Sequence, residues 1–333
     1  MPPKPRPPVP THFLCIPLVS PVSRPQLSAS LAAFRADVCS PSPANGFGGD
    51  GDAALLPLIP EDAVRPVGTL HLTLGVFSFP PLGKGEFGDG GPGTAGEVVG
   101  AAAGVGDGNE SRAGTGELRG DADGKEDKPK PRPTLDRAKE VLGGLRLREI
   151  WQGVRAKAPV MPGTGKPAAS EQKQQQEGQE PPKITLRGLA SIQSPTKAAV
   201  LYAPPVDQLG LLQAFCQRVR DVFREAELMI DDGRPLLLHA TVVNTVYSKQ
   251  KPGEGGGGKR RGGRGGRGGG GGWGRKRERL VFDATGFIER YEDVVWMEDV
   301  PIEKVAICKM GAKKVVVDGV EDGAYEVEAE VVF

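Results

Sequence analysis

The chain has 333 residues, with 49 glycines and 31 prolines, and its 43 basic and 42 acidic residues give a formal charge of +1. Glycine and proline crowd into a few stretches, which leaves about 200 residues to pack a core, enough for one domain. Net charge near zero excludes a uniformly basic or acidic protein but hides segregation, with an acid-leaning stretch around Glu117 to Asp127 and an intensely basic one from Lys259 to Arg279, so local charge carries the information.

Residues 1–10 form a proline-rich tail with two basic residues. Phe13 to Leu18 reads as a first strand. The apolar run to Val19 is broken by Pro17 and is too short to span a membrane, with no cleavage site after it. A soluble protein of the cell interior is therefore expected. Pro25 to Val38 carries Leu27, Leu31 and Phe34 at helical spacing, with Ser23 as cap and Pro25 in the first turn. After a loop, a second strand runs from Thr69 to Phe79. Residues 80–133 collapse into small, charged and proline residues and read as a disordered insert. A helix is expected over Leu135 to Leu147, with Thr134 before it, followed by a second polar insert at about 158–182.

Beyond that point the chain is densely patterned. Ile184 to Ile192 and Ala198 to Ala203 are strand candidates. Val206 to Ala226 reads as an amphipathic helix that turns Leu209, Leu212, Phe215, Val219, Val222 and Phe223 inward. Leu236 to Val246 is a strand leading into a third insert at about 249–279. Asp283 to Tyr291 is a helix, and Val305 to Met310 and Tyr325 to Phe333 are closing strands. This order makes residues 11–333 one α+β domain of antiparallel sheets with helices packed on one face of each. Of the four cysteines, none shows C-x-x-C spacing, and Cys15 and Cys308 fall in apolar strands as reduced core thiols.

Two of the three histidines open the same short pattern. Thr69-Leu70-His71-Leu72-Thr73-Leu74 can be laid beside Leu237-Leu238-His239-Ala240-Thr241-Val242, and an Arg-Pro pair precedes each (Arg65-Pro66 and Arg234-Pro235). Along a strand, side chains two apart share a face. His71 and Thr73 thus face one way, as do His239 and Thr241, with aliphatic residues behind both pairs. In-line displacement at phosphorus needs one group to take a proton from the attacking oxygen and another, opposite, to give one to the leaving oxygen. Histidine serves either role near neutral pH. Threonine hydroxyls can hold the non-bridging oxygens as charge builds. This chemistry needs no cation, and the chain shows no spacing of metal ligands, so neither metal nor cofactor is expected. His12 has no threonine two residues on and reads as structural or surface. Tyr247 is a candidate for stacking on a base, with a half-buried strand tyrosine as the alternative.

The segment from Arg65 to Val76, the run Leu238-His239-Ala240-Thr241-Val242-Val243-Asn244-Thr245 followed by Tyr247, and flanking stretches such as Leu201-Tyr202-Ala203-Pro204 and Val305 to Gly311 closely resemble the A-kinase anchor protein 7-like phosphoesterase domain. That family belongs to the two-histidine (2H) phosphoesterase superfamily and includes the phosphoesterase part of activating signal cointegrator complex subunit 1. The resemblance covers the ordered parts from about Thr11 to Phe333. It implies a bilobal fold, two antiparallel sheets with outer helices, and a central cleft carrying both His-x-Thr pairs. It also implies His71 and His239 as the acid/base pair, in either assignment, with Thr73 and Thr241 binding phosphate. No GXXG-type RNA-binding module precedes the domain and no kinase-anchoring tail follows it, so neither partner is expected.

The third insert holds Lys259, Arg260, Arg261, Arg264 and Arg267, then Trp273 and Arg275, Lys276 and Arg277. Glycine-spaced arginines with an aromatic suit loose RNA binding by phosphate attraction and stacking. The two basic clusters also fit a bipartite nuclear import signal. The sequence thus points to a metal-independent phosphodiesterase on RNA or oligonucleotide linkages or cyclic phosphates, a monomeric domain in the nucleus, the cytoplasm or both. The alternative is a non-catalytic nucleotide- or RNA-binding subunit of a nuclear transcription or repair complex.

Overall fold

A computed structural model of the chain describes residues 8–40, 58–80, 133–158, 180–231, 233–248 and 280–333. The three expected inserts lie almost wholly outside these residues. Strand β1 (His12–Pro17) is buried along nearly its whole length. Helix α1 (Ser23–Val38) buries Leu27, Leu31, Phe34 and Val38 at three- and four-residue intervals, one apolar stripe. Its expected cap is corrected. Ser23 is the first helical residue and donates from Oγ to the Leu18 carbonyl at 2.6 Å. Ser20 Oγ instead accepts the N–H groups of Val22 and Ser23, at 3.3 and 3.4 Å.

Strand β2 (His71–Phe77) begins two residues later than expected, because Val67–Thr69 forms a 3₁₀ turn. Helix α2 (Leu135–Gly143) is capped by Thr134, which accepts from the Arg137 N–H at 3.3 Å. A further helix that the sequence reading left unassigned, α3 (Leu147–Ala156), buries Leu147 and Trp151. The single strand expected over Ile184 to Ile192 is two, β3 (Lys183–Arg187) and β4 (Ala190–Ser191). The break is at Gly188, whose φ of +82° is open to glycine and costly to other residues. Strands β5 (Val200–Ala203) and β6 (Pro205–Val206) come next.

Helix α4 (Leu212–Glu225) starts later than Val206. Asp207 Oδ2 accepts the Leu211 N–H at 2.7 Å and closes a turn ahead of it. Leu209, expected to face inward, is 55% exposed in that turn. The chain then runs through β7 (Ala240–Asn244), helix α5 (Thr285–Arg290), β8 (Val295–Pro301), β9 (Lys304–Lys309), β10 (Lys313–Val317), β11 (Val320–Ala324) and β12 (Val327–Val332). Strands β8, β10 and β11 were not anticipated.

The main sheet has seven strands in the order β12-β9-β1-β2-β7-β5-β4, and its six neighbouring pairs are all antiparallel. It divides into two halves, β12-β9-β1-β2 and β7-β5-β4, joined by one register pair, Leu72 with Ala240. The two sheets expected for two lobes therefore share a seam, and the seam lies between the two His-x-Thr strands. On the core face, Phe223 of α4 packs on Phe77 with ring centroids 5.7 Å apart, and Phe215 meets Trp151 of α3 at 5.9 Å. Helix α1 lies instead on the small sheet β6-β3-β8, with Phe34 at 5.2 Å from Trp296. Among the described residues, no helix is long and apolar enough to cross a membrane.

Candidate active site

The seam sets the geometry of the site. Leu72 and Ala240 are register partners and fully buried, and Leu74 and Val242 are buried with them. His71, Thr73, His239 and Thr241 are only half-buried. The alternation expected along each motif therefore holds, with aliphatic side chains behind and polar ones in front. Extending the antiparallel register by one residue each way sets His71 against Thr241 and Thr73 against His239. His239 is close enough for its charge to act on His71.

Both imidazoles are anchored in the same way. His71 Nδ1 lies 2.7 Å from the Thr69 carbonyl oxygen, and His239 Nδ1 lies 2.9 Å from the Leu237 carbonyl oxygen. A carbonyl can only accept, so each Nδ1 carries the proton and Nε2 is the free nitrogen of the neutral ring. His239 stands just before β7 rather than within it. The surroundings of the two rings differ. His71 is wedged beside Phe13, at 4.8 Å, and Tyr325, edge-on at 5.3 Å. His239 has Tyr202 edge-on at 5.6 Å. Burial, first of all, pulls the His71 pKa down to about 4. The Thr69 carbonyl opposes this shift, and the charges of Arg65 and His239 add to it. His71 is therefore neutral at physiological pH.

Sequence reasoning noted Arg65 only as half of an Arg-Pro pair. In the structure it is 7% exposed, with Nη2 donating to the Tyr325 hydroxyl at 3.1 Å and its guanidinium 4.2 Å from the Tyr247 ring centroid. Its N–H donates to the Val242 carbonyl at 2.8 Å, which ties the approach to β2 onto β7. Arg234, its counterpart in the sequence repeat, is exposed, so the internal symmetry extends to the histidines and threonines but not to these arginines. Tyr247 lies in a 3₁₀ turn, not a strand, and is 40% exposed. Thr69, Arg65, Tyr247, Tyr325, Lys309 and Lys313 line a groove of about 1310 Å³ that also takes in His12; it adjoins the turn before His71, and none of the four motif residues lines it. Phe13, Tyr202 and Tyr325 were missed as site residues. The only sequence signal for them is the parity of their strands relative to the histidines. His12 takes no part in the pair, since its Nδ1 is 3.0 Å from Thr11 Oγ1 and its ring packs on Phe79 at 5.1 Å. The basic residues Lys259, Arg260, Arg261, Arg264, Arg267, Arg275, Lys276 and Arg277 lie outside the described residues.

With this geometry in place, the profile of the AKAP7 2'5' RNA ligase-like domain matches residues 166–333, a span that takes in His239 and Thr241 and leaves out His71 and Thr73. The chain belongs to the AKAP7 2'5' RNA ligase-like domain family. An uncharacterized protein of Schizosaccharomyces pombe is 28% identical over 130 residues, 39% of this chain and 49% of that protein, so the chain spans about half the length of the curated relative it matches. A solved phosphoesterase has a TM-score of 0.36 at 9% identity, covering 97% of this chain and 98% of its own. Escherichia coli LigT complexed with NADP+ has a TM-score of 0.35 at 9% identity, covering 98% of each chain. Similarity at that level says nothing of chemistry.

Proposed function

We propose that the chain is a metal-independent phosphodiesterase acting on RNA or oligonucleotide linkages or on cyclic phosphates, with His71 as general base and His239 as general acid. The observation that carries this reading is the symmetric anchoring of the two imidazoles, each with Nδ1–H on a carbonyl two residues back, across a single register pair. His71, neutral at pH 7 with Nε2 free, takes the proton of the attacking water or hydroxyl. That oxygen bonds to phosphorus as the bond to the leaving oxygen breaks, and His239, which enters the step as the imidazolium with a proton on each nitrogen, gives its Nε2 proton to the leaving oxygen and is left neutral. Thr73 and Thr241 donate to the non-bridging oxygens. Solvent then returns both rings to their starting protonation. Arg65, beneath Tyr247, supplies positive charge at the wall of the groove, where an exposed aromatic ring offers a stacking surface for a base.

The basic segment fits the same reading. Thr245 Oγ1 donates to the Leu280 carbonyl at 2.6 Å, which fixes the residue after the segment beside the turn that carries Tyr247. A glycine–arginine stretch leaving from there would add phosphate attraction at the groove. Its two basic clusters also suit nuclear import.

The test is hydrolysis of 2′,5′-linked, 3′,5′-linked and cyclic-phosphate substrates with EDTA present. His71→Ala and His239→Ala should each cut turnover at least ~100-fold, the scale of a lost general acid or base. Thr73→Val and Thr241→Val should each cost on the order of 100-fold in kcat, as for a lost transition-state donor. Equal activity in wild type and both histidine variants would remove the reading.

A further inference from the structure

Asp322, on β11, lies against the turn that delivers His71, 254 residues away from Gly68 in the chain. Its Oδ1 accepts the N–H of Gly68 at 2.9 Å and that of Gly323 at 2.8 Å, and its Oδ2 accepts from Arg24 Nη1 of α1 at 2.8 Å. The carboxylate side chain is 8% exposed. The two backbones touch here, since a Cβ on Gly68 would collide with the Gly323 carbonyl oxygen, and one on Gly323 would come within 2.9 Å of Thr69 Cγ2. Glycine at both positions is what lets the hairpin close on the turn. Inside the turn, the Thr69 N–H and Oγ1 both donate to the Pro66 carbonyl, at 3.1 and 2.7 Å, while the Thr69 carbonyl is committed to His71 Nδ1 at 2.7 Å.

We infer that Asp322, tethered by Arg24, is a positioning residue for His71. It holds the Val67–Thr69 turn and, through the Thr69 carbonyl, the tautomer and orientation of the imidazole. The catalytic part of this inference rests on His71 being the base; the structural part does not. Burial works to raise the Asp322 pKa, but the Arg24 bond and the two N–H donors outweigh it and hold the group below the usual carboxylate range, so the clamp is ionised at neutral pH. His239 is approached differently. The residue before its partner carbonyl is held from α4, where Gln213 Nε2 donates to the Leu236 carbonyl at 2.8 Å. The groups facing His71 are Arg65, Tyr325, Phe13 and His239, and opening the clamp would admit water among them.

Imidazole NMR of the full chain, which has three histidines, reads the clamp without any assay of turnover. In Asp322→Asn the His71 ring should lose its single Nδ1–H tautomer and its titration midpoint should move up from about 4 toward 6.5. His12 and His239 should stay where they are. In the activity assay kcat should fall ~10-fold or more with KM within about twofold, as expected for misorientation of a base rather than loss of binding. Arg24→Ala should show the same His71 shift in weaker form and serves if Asp322→Asn does not fold, while Arg24→Lys should retain most of the wild-type behaviour. Asp37→Asn removes a carboxylate bound by Arg290 and Tyr291 at 2.6 and 2.7 Å and controls for general loosening. A folded Asp322→Asn protein with an unmoved His71, or an equal His71 shift in Asp37→Asn, would overturn the inference. No turnover by wild type would count against the phosphodiesterase reading alone.

Discussion

At the scale of single residues, the consequence of the site is a difference between two histidines that look alike in sequence. His71 has a folded pKa of about 4 against about 6.5 unfolded. Between those values the unfolded chain binds more protons at this position than the folded one, so its contribution to stability is intact above about pH 6.5 and is lost as pH falls toward 4. Urea midpoints measured from pH 7 to 4.5 should fall more steeply for wild type than for His71→Asn, and parallel curves would contradict the burial of this ring. With His71 as the proposed base, the acidic limb of kcat/KM should lie near pH 4. A limb near pH 6.5 would place the base elsewhere. His71, His239, Thr73 and Thr241 could be picked out as candidates because residue type and period-two spacing are local properties. Arg65 and Tyr325 could not, since their meeting with the His71 strand depends on contacts between segments 260 residues apart.

At the scale of elements, the seam is the feature on which the site depends. Leu72 is fully buried, and Leu72→Ala should cost about 2–5 kcal/mol, the range for a large-to-small change in a core. Denaturant unfolding measures it, and a loss under 1 kcal/mol would mean that the seam is not packed. The long, strongly periodic elements were readable: α1, the first motif strand and the closing strands stand close to their expected places, whereas the helix expected to Leu147 ends at Gly143 and the strand expected over Leu236 to Val246 is only Ala240–Asn244. The misses have local causes. Helix α4 was started too early because Val206 and Leu209 fit its period, yet a turn closed by Asp207 precedes it. The hairpin of β10 and β11 turns at Asp318-Gly319, both at positive φ, a strong hairpin signal that passed unread because its strands are largely exposed and carry no core alternation. That omission also hid Asp322.

At the scale of the whole molecule, the candidate site draws on two parts of the chain whose histidines are 168 residues apart in sequence. Replacing residues 249–279 with a short glycine–serine link should leave Tm unchanged and retain hydrolysis of a dinucleotide. It should also weaken binding of long RNA and flatten its salt dependence, because phosphate contacts are lost. Unaltered RNA affinity and salt slope would remove the capture role. The fold class was readable from element order, whereas the single seven-stranded sheet was not, since it depends on one pair, Leu72 with Ala240. The most direct test of the site is a titration of the full chain with a nucleoside monophosphate, followed through the imidazole resonances of its three histidines. His71 and His239 should both shift along one binding curve with a common midpoint. A response from one of the pair without the other would contradict a phosphate held between two imidazoles.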